Sequence, residues 1–173
     1  MTALAVLILV FFPMAVEATL AASNERTQRA RGGVEPPDDV YKMMRIAYPA
    51  AFLAMIAEGL VRGIPSTLAL TAGIVLFAAA KALKWWAILT LGPFWTFRVI
   101  VVPDARLVTS GPYRYLRHPN YVGVIGELAG VALITGALVA AVFAIPVFGA
   151  LILKRIALEE RALAGDSLTP PNV

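Results

Sequence analysis

The chain has 173 residues, of which 60% are hydrophobic and 15% are charged, and its mean hydropathy is +0.78. Soluble domains are usually ~45–50% apolar and ~25% charged, so this composition favours a protein embedded in a bilayer. There is no cysteine and only one histidine, which excludes disulfides and thiolate ligands and argues against a zinc or di-iron site.

Five apolar segments approach the length of about 20 residues that a membrane span needs. They are residues 3–21, 43–61, 66–83, 120–136 and 137–153. The first has no lysine or arginine before its apolar run, so it predicts a retained helix rather than a signal peptide. Only Thr135 and Gly136 separate the last two, which predicts a helical hairpin, with a kink at Pro146. The sequence therefore predicts one all-α integral membrane domain over 1–173, with five transmembrane helices.

The lysines and arginines lie almost entirely on one side of these segments. Of the fifteen, fourteen lie in or beside the first and third connections or in the C-terminal tail, and Arg62 alone is left for the other side. The positive-inside rule makes the first side cytoplasmic, so we expect the N-terminus outside and the C-terminus in the cytosol. This topology accounts for the net charge of +4, and nucleic acid is not an expected partner.

The polar segment RLVTSGPYRYLRHPNYVG, residues 106–123, stands directly before the fourth apolar segment. Its Gly-Pro pair predicts a turn, and Pro119 keeps His118 out of the α region while suiting the first turn of a helix. His118 and the amides of Asn120 and Tyr121 are therefore expected at a helix N-terminus, where anions bind readily. A capped helix start with interfacial arginine and tyrosine anchors explains the same residues equally well.

The third connection is expected over about 84–119, which is too long for a simple link. Its first part combines cations with aromatic residues, as segments at a membrane interface do. These aromatic residues are Trp85, Trp86, Phe94, Trp95 and Phe97. An amphipathic anchor lying on the headgroups is one interpretation of 84–98. Lys84 and Arg98 are candidates for contact with the headgroup of a substrate.

Several carboxylates lie in or beside the apolar segments. The fifth segment continues as LILKRIALEERAL, in which Arg155 and Glu159 are four apart and share a helix face. A surface ion pair of about 0.3–0.5 kcal/mol would explain them, but the order of the pair is the less favourable one and carboxylates there oppose the helix dipole. A ligand site is the other interpretation. Glu127 is either a functional group or a hydrogen-bonded packing residue, and Glu17 and Glu58 are expected at the interface.

Together these stretches resemble the isoprenylcysteine carboxyl methyltransferase and phospholipid methyltransferase superfamily. The family pattern is G-x-Y-x-x-x-R-H-P-x-Y-x-G, then a helical hairpin, then R-x-x-x-E-E. It is matched here by Gly111, Tyr113, Arg117, His118, Pro119, Tyr121, Gly123, Arg155, Glu159 and Glu160. The N-terminal half, with SNERTQRARGGVE and LKWWAILTLGPFWTFRVIVVP, looks like bacterial members, some of which O-methylate alkylpyrones and alkylresorcinols. The tail RALAGDSLTPPNV departs from the helical, aromatic tail that is usual in the family.

The resemblance implies S-adenosylmethionine as the cofactor and a lipophilic small-molecule acceptor that shares the bacterial cytoplasmic membrane with its lipids. It implies cofactor contacts within about 100–121 and 155–160. These fall on Ala105, Arg106, Leu107, Val108, Tyr113, His118, Pro119, Asn120, Tyr121 and Glu159, with Glu160 as the second acidic position of the motif. The arginine at the substrate end of the family's site falls on Arg155.

Methyl transfer from a sulfonium is an in-line displacement that needs alignment and charge placement but no metal. A carboxylate acceptor needs no base, and Arg155 could orient it by paired hydrogen bonds. A phenol, with a pKa of about 10, must ionise, so Arg155 would stabilise the anion and His118 would be a possible base. Isoprenylcysteine, alkyl-phenol and phospholipid amine acceptors all stay open. From other classes, the alternatives are a non-catalytic five-helix scaffold and then a transporter.

Overall fold

The computed structural model describes residues 3–37, 40–103 and 107–163, and its regular elements there are helices. The α-helices are α1 (Ala3–Ala30), α2 (Tyr41–Arg62), α3 (Thr67–Leu91), α4 (Pro119–Thr135) and α5 (Leu138–Leu163), with 3-10 turns at Gly92–Phe94 and Gly111–Arg114. Four helices are long and apolar enough to cross a membrane, whereas α4, with 17 residues, is apolar but shorter. The prediction of an all-α integral membrane protein is confirmed.

Two helices extend beyond their predicted ends. α1 continues to Ala30 rather than residue 21, and α3 continues to Leu91 rather than residue 83. In the added turns, side chains that were expected to meet water or headgroups are instead buried against the rest of the chain, such as Gln28 on α1 and Ile88 on α3. The interpretation of 84–98 as an anchor is therefore wrong for 84–91. The third connection begins at Gly92, whose φ of +54° ends the helix.

α3 and α4 pack together more extensively than the other helix pairs. Glycines allow this approach, because there is no room for a side chain at the contact. A Cβ atom on Gly130 would lie 2.8 Å from the backbone nitrogen of Phe77, and one on Gly73 would lie 2.8 Å from the carbonyl oxygen of Gly130. The close contact fixes the height of α4 along α3.

The hairpin between α4 and α5 is tight, as predicted. Gly136 ends α4 in the left-handed conformation, with φ of +68°. Glu58 of α2 then caps α5, because its two carboxylate oxygens accept hydrogen bonds from the backbone N–H groups of Val139 (3.0 Å) and Ala140 (2.6 Å). Glu58 also pairs with Arg62. This residue, expected only to lie at an interface, thus attaches α2 to the hairpin.

The apolar core joins all five α-helices, with Phe77 as the buried member from α3. Its buried side chains include Val10 of α1, Phe52 and Met55 of α2, Leu128 and Val131 of α4, and Phe148 of α5. Large apolar side chains on the outer surfaces of the helices are exposed, as is expected of a bundle that faces lipid.

We expect Gly130→Ala to destabilise the bundle by about 1–3 kcal/mol, because its methyl group would overpack the contact with α3. Gly149→Ala is the matched control, since a Cβ at Gly149 meets nothing within 4 Å. The control should be neutral or stabilising by up to about 1 kcal/mol, through helix propensity. Thermal unfolding in detergent micelles measures both. Equal melting temperatures of the two variants would contradict the described approach of α3 and α4.

Candidate functional site

The first turn of α4 is arranged largely as its sequence predicts. His118 is the N-cap residue, with φ of −131°, and Pro119 occupies the first turn. No side chain among the described residues caps this end. The backbone N–H of Tyr121 already donates to the carbonyl oxygen of His118 at 3.1 Å. Of the two amides expected to face a ligand, that of Asn120 therefore remains among the unpaired N–H groups of the helix start.

The phenol oxygen of Tyr121 connects α4 to the last turns of α5. Nε of Arg155 donates to this oxygen at 3.0 Å and to Oε1 of Glu159 at 3.2 Å. The hydroxyl of Tyr121 in turn donates to the same Oε1 of Glu159. The side chain of Arg155 is only 4% exposed. The interpretation as a surface ion pair is therefore wrong, because the pair is largely buried and shares a hydroxyl.

The imidazole of His118 lies between two carboxylates. Its Nδ1 is 3.6 Å from Oε2 of Glu159, and its Nε2 is 3.6 Å from Oε1 of Glu160. The side chains of His118 and Glu159 are about one quarter exposed, at 24% and 25%, whereas that of Glu160 is 54% exposed. We call the group formed by His118, Tyr121, Arg155, Glu159 and Glu160 the α4–α5 site. It is polar, partly open, and lies at one end of an apolar bundle.

The 3-10 turn before α4 brings further predicted residues towards this site. A Cβ on Gly111 would lie 2.5 Å from Oγ1 of Thr90, so the turn packs closely against the end of α3. Burial and, after it, the carboxylate of Glu159 raise the pKa of Tyr113. Tyr113 is therefore a protonated hydrogen-bond donor at neutral pH.

Lys84, a predicted headgroup contact, belongs to a different group of charges. Its Nζ is 2.7 Å from Oε2 of Glu17 and 3.3 Å from Oε1 of Glu127. Nζ of Lys81 is 2.9 Å from Oε1 of Glu17 and 3.0 Å from Oε2 of Glu127. The hydroxyl of Tyr48 donates to Oε2 of Glu127 at 2.6 Å. The buried charge cluster, as we call it, joins α1, α3 and α4 and consists of Glu17, Lys81, Lys84 and Glu127.

The buried charge cluster changes two of the expectations drawn from the sequence. Glu17 is not interfacial, because it is only 1% exposed and is paired with both lysines. Glu127 is ion-paired and hydrogen-bonded, as its interpretation as a packing residue requires. Lys81 and Lys84 are one turn apart in an apolar helix. Because charges in a membrane segment usually pair with opposite charges, this pattern predicts carboxylates beside them.

Arg98, the other predicted headgroup contact, also has internal partners. One guanidinium nitrogen is 2.6 Å from Oε1 of Glu35, and the guanidinium carbon lies 4.8 Å from the centre of the Tyr41 ring. Burial raises the pKa of Glu35, but hydrogen bonds from Arg98 and Arg29 outweigh it and hold the pKa below its usual value. The roles proposed for Lys84 and Arg98 in substrate binding stay predictions, and neither contacts the α4–α5 site in the described residues.

Four of the predicted cofactor contacts, residues 105–108, have no described contact with the α4–α5 site. Leu107 is 68% exposed, and Val108 is half-buried. Ala105, Arg106 and the tail after Leu163 lie outside the described residues. The oxygen Oδ1 of Asn120 accepts a hydrogen bond from the indole Nε1 of Trp95 at 3.3 Å, a contact for which the sequence held no signal.

Several known proteins are similar to this chain in sequence. Residues 72–165 match the Isoprenylcysteine carboxyl methyltransferase (ICMT) family. The uncharacterized protein YpbQ of Bacillus subtilis is 32% identical over 151 residues, which cover 86% of this chain and 89% of that protein. An uncharacterized protein of Haemophilus influenzae is 25% identical over 147 residues, 84% of this chain and 86% of that protein. No solved structure matches the chain.

The range that matches the family covers more than half of the chain. It contains both 3-10 turns, α4, α5 and most of α3, and therefore every residue of the α4–α5 site. The R-H-P segment and the R-x-x-x-E-E segment, which carried the resemblance in the sequence, are the two parts that this site brings into contact. The chain belongs to the isoprenylcysteine carboxyl methyltransferase family.

Proposed function

We propose that this membrane methyltransferase homologue uses S-adenosylmethionine to methylate an oxygen of a lipophilic acceptor at the α4–α5 site. The observation that carries the proposal is the approach of His118, from the start of α4, to Glu159 and Glu160, about forty residues later on α5. Packing alone gives no reason to gather an imidazole, a guanidinium and two carboxylates at the mouth of an apolar bundle.

The donor set of the site fits the cofactor. S-adenosylmethionine carries a sulfonium, an ammonium group, a carboxylate and a ribose diol. Glu159 and Glu160 suit the cationic groups and the hydroxyls, because carboxylates accept several hydrogen bonds. The start of α4, which no described side chain caps, suits the carboxylate of the cofactor. Tyr113 adds a protonated donor and a ring beside the site.

The protein's contribution to methyl transfer is to orient the acceptor and to stabilise charge. When bound, S-adenosylmethionine supplies an electrophilic methyl group. Arg155 is held in one orientation by Tyr121 and Glu159, so its positive charge is fixed before an acceptor arrives. A fixed charge of this kind stabilises an anionic oxygen at little cost in reorganisation. For a phenol or enol acceptor, His118 is the group that would take the proton.

The acceptor is expected to approach from the membrane and the cofactor from the cytosol. The distribution of cations supports this orientation, since the connections that carry them lie at the same end of the bundle as the α4–α5 site. A lipid-borne acceptor would then reach Arg155 without leaving the bilayer.

We expect His118→Ala and Glu159→Ala each to weaken binding of S-adenosylmethionine by about tenfold or more, the usual cost of losing a hydrogen bond to a charged group. Lys154→Gln is the matched control, because Lys154 is an exposed cation on the same helix, with no ion pair recorded in the described residues. Titration calorimetry in detergent measures the affinities. Unchanged affinity in both alanine variants would exclude this assignment of the site.

Arg155→Lys should separate acceptor binding from cofactor binding. Lysine keeps the charge but not the planar pair of donors. We expect methyl incorporation to fall by about 10²-fold, the scale for the loss of one fixed donor, while the affinity for S-adenosylmethionine stays within about threefold. The assay incubates membranes with methyl-labelled S-adenosylmethionine and counts the label in extracted lipid. An equal loss of cofactor affinity would contradict a role at the acceptor end.

The same labelled lipid distinguishes the possible acceptors. Mild alkali releases the label as methanol from a methyl ester, whereas an aryl ether and an N-methyl group retain it. Label that stays on a phospholipid amine would replace our proposal by phospholipid N-methylation. Absence of any label or cofactor binding in the wild-type protein would favour a non-catalytic scaffold.

The proposed orientation has its own test. A fluorescent protein fused to the C-terminus should fluoresce in bacteria, and a periplasmic phosphatase reporter at the same place should be inactive, because the cation-rich side stays in the cytosol. Fusions placed after Ile64, in the connection between α2 and α3, should give the opposite result. The reverse pattern at both positions would overturn the orientation.

A further inference from the structure

A buried stripe along α1 holds the loop that follows α3. Glu17, Ala21, Asn24 and Gln28 recur every three or four residues and so share one helix face. Three of them are fully buried, with exposures of 1% for Glu17, 0% for Ala21 and 1% for Gln28. This part of α1 lies outside residues 72–165, the range that matches the family.

Side-chain amides of this stripe donate to the backbone of the loop. Nδ2 of Asn24 donates to the carbonyl oxygens of Gly92 at 3.1 Å and Trp95 at 2.8 Å. Nε2 of Gln28 donates to the carbonyl oxygen of Pro93 at 2.6 Å. Because both partners of Asn24 are acceptors, its side chain must present the amide nitrogen to them and not the oxygen. The backbone turn from Gly92 to Trp95 therefore depends on donors from α1.

The residues just after α1 contact a later part of the same loop, residues 98–101. Val34 and Val101 form an antiparallel bridge with two backbone hydrogen bonds of 2.9 Å. Glu35 pairs with Arg98 at 2.6 Å. The first ten residues of the loop, 92–101, are thus attached to the N-terminal part of the chain at both of their ends.

The loop in turn contacts the start of α4 through one side chain. Trp95 is 3% exposed and packs against Ala21 and Ile88, so its indole has little freedom. Its Nε1 donates to Oδ1 of Asn120 at 3.3 Å. Asn120 directly follows Pro119 and carries one of the backbone N–H groups that open α4. A displacement of Trp95 would therefore shift Asn120, and with it the start of α4 at the α4–α5 site.

We infer that Asn24 is a positioning residue for the methyl-transfer site, acting through the backbone of Trp95 and its indole on Asn120. The inference rests on the proposed function, because its consequence is a change in cofactor binding. It makes α1 part of the catalytic unit, although α1 lies outside residues 72–165, the range that matches the family. Asn24 itself touches no reacting group in this scheme.

Asn24→Ala tests the inference, with Ser23→Ala as the matched control, since Ser23 is next to Asn24 on α1 but is exposed. Proteins labelled with 5-fluorotryptophan give three fluorine resonances, one each for Trp85, Trp86 and Trp95, assigned by tryptophan-to-phenylalanine variants. We expect Asn24→Ala to shift the resonance of Trp95 and to weaken binding of S-adenosylmethionine about fivefold to tenfold. Ser23→Ala should change neither.

Two further variants test the same contacts if Asn24→Ala does not fold. Asn24→Asp removes the donor at constant size and should match Asn24→Ala or exceed its effect. Trp95→Phe retains a ring but removes the bond to Asn120, so it should weaken cofactor binding even where an Asn24 variant does not fold.

The outcomes separate this inference from the proposed function. An unmoved Trp95 resonance in Asn24→Ala, or a moved resonance with cofactor affinity equal to the wild type, would overturn the inference. Wild-type protein that binds no S-adenosylmethionine would overturn the proposed function, and with it the role of Asn24 in cofactor binding. In that case the fluorine spectra still show whether Asn24 holds Trp95 in place.

Discussion

Two lysines in an apolar helix determine how the bundle can be assembled. Lys81 and Lys84 lie roughly 10–15 Å from the end of α3, counted at 1.5 Å per residue. An unpaired charge at the centre of a membrane helix costs about 2.5–3.5 kcal/mol. Glu17 and Glu127 neutralise both, each carboxylate contacting each ammonium group. Removing one partner would leave a buried net charge, so α1 and α4 must both pack against these lysines. A buried ion pair adds little net stability, because desolvation offsets most of its attraction.

α4 is the element on which both polar groups meet. Its face with Gly123, Glu127 and Gly130 packs against α3 and takes part in the buried charge cluster. Tyr121, on another face, contacts Arg155 and Glu159 of α5. The buried charge cluster and the glycine contacts therefore set the height of α4, and the height of α4 sets where His118 meets the carboxylates of α5. Stability and the proposed chemistry depend on the same 17-residue helix.

The sequence predicted the parts of the site that depend on local rules. Proline at 119 is sufficient to place His118 at a helix start, and a spacing of four is sufficient to put Arg155 and Glu159 on one face. The partners of Glu17 and the contact between Trp95 and Asn120 depend on how distant helices pack, for which one sequence carries no pattern. The ends of α1 and α3 were missed for the same reason, because buried contacts continue these helices where polar composition suggested that they stop.

The shortness of α4 has a consequence for where the chemistry takes place. Seventeen residues span about 25 Å, whereas the hydrocarbon core of a bilayer is about 30 Å thick. The opposite end of α4 is joined to α5 by the tight hairpin and lies beside the end of α2, where Gly59 approaches Thr135. The shortfall falls at the His118 end: Gly123 lies against Lys84, and α3 runs seven residues beyond that contact, whereas α4 begins only four residues before it. A bilayer accommodates a helix that is too short by thinning locally. The proposed lipid acceptor would then keep its reactive head at the depth of its own first methylenes.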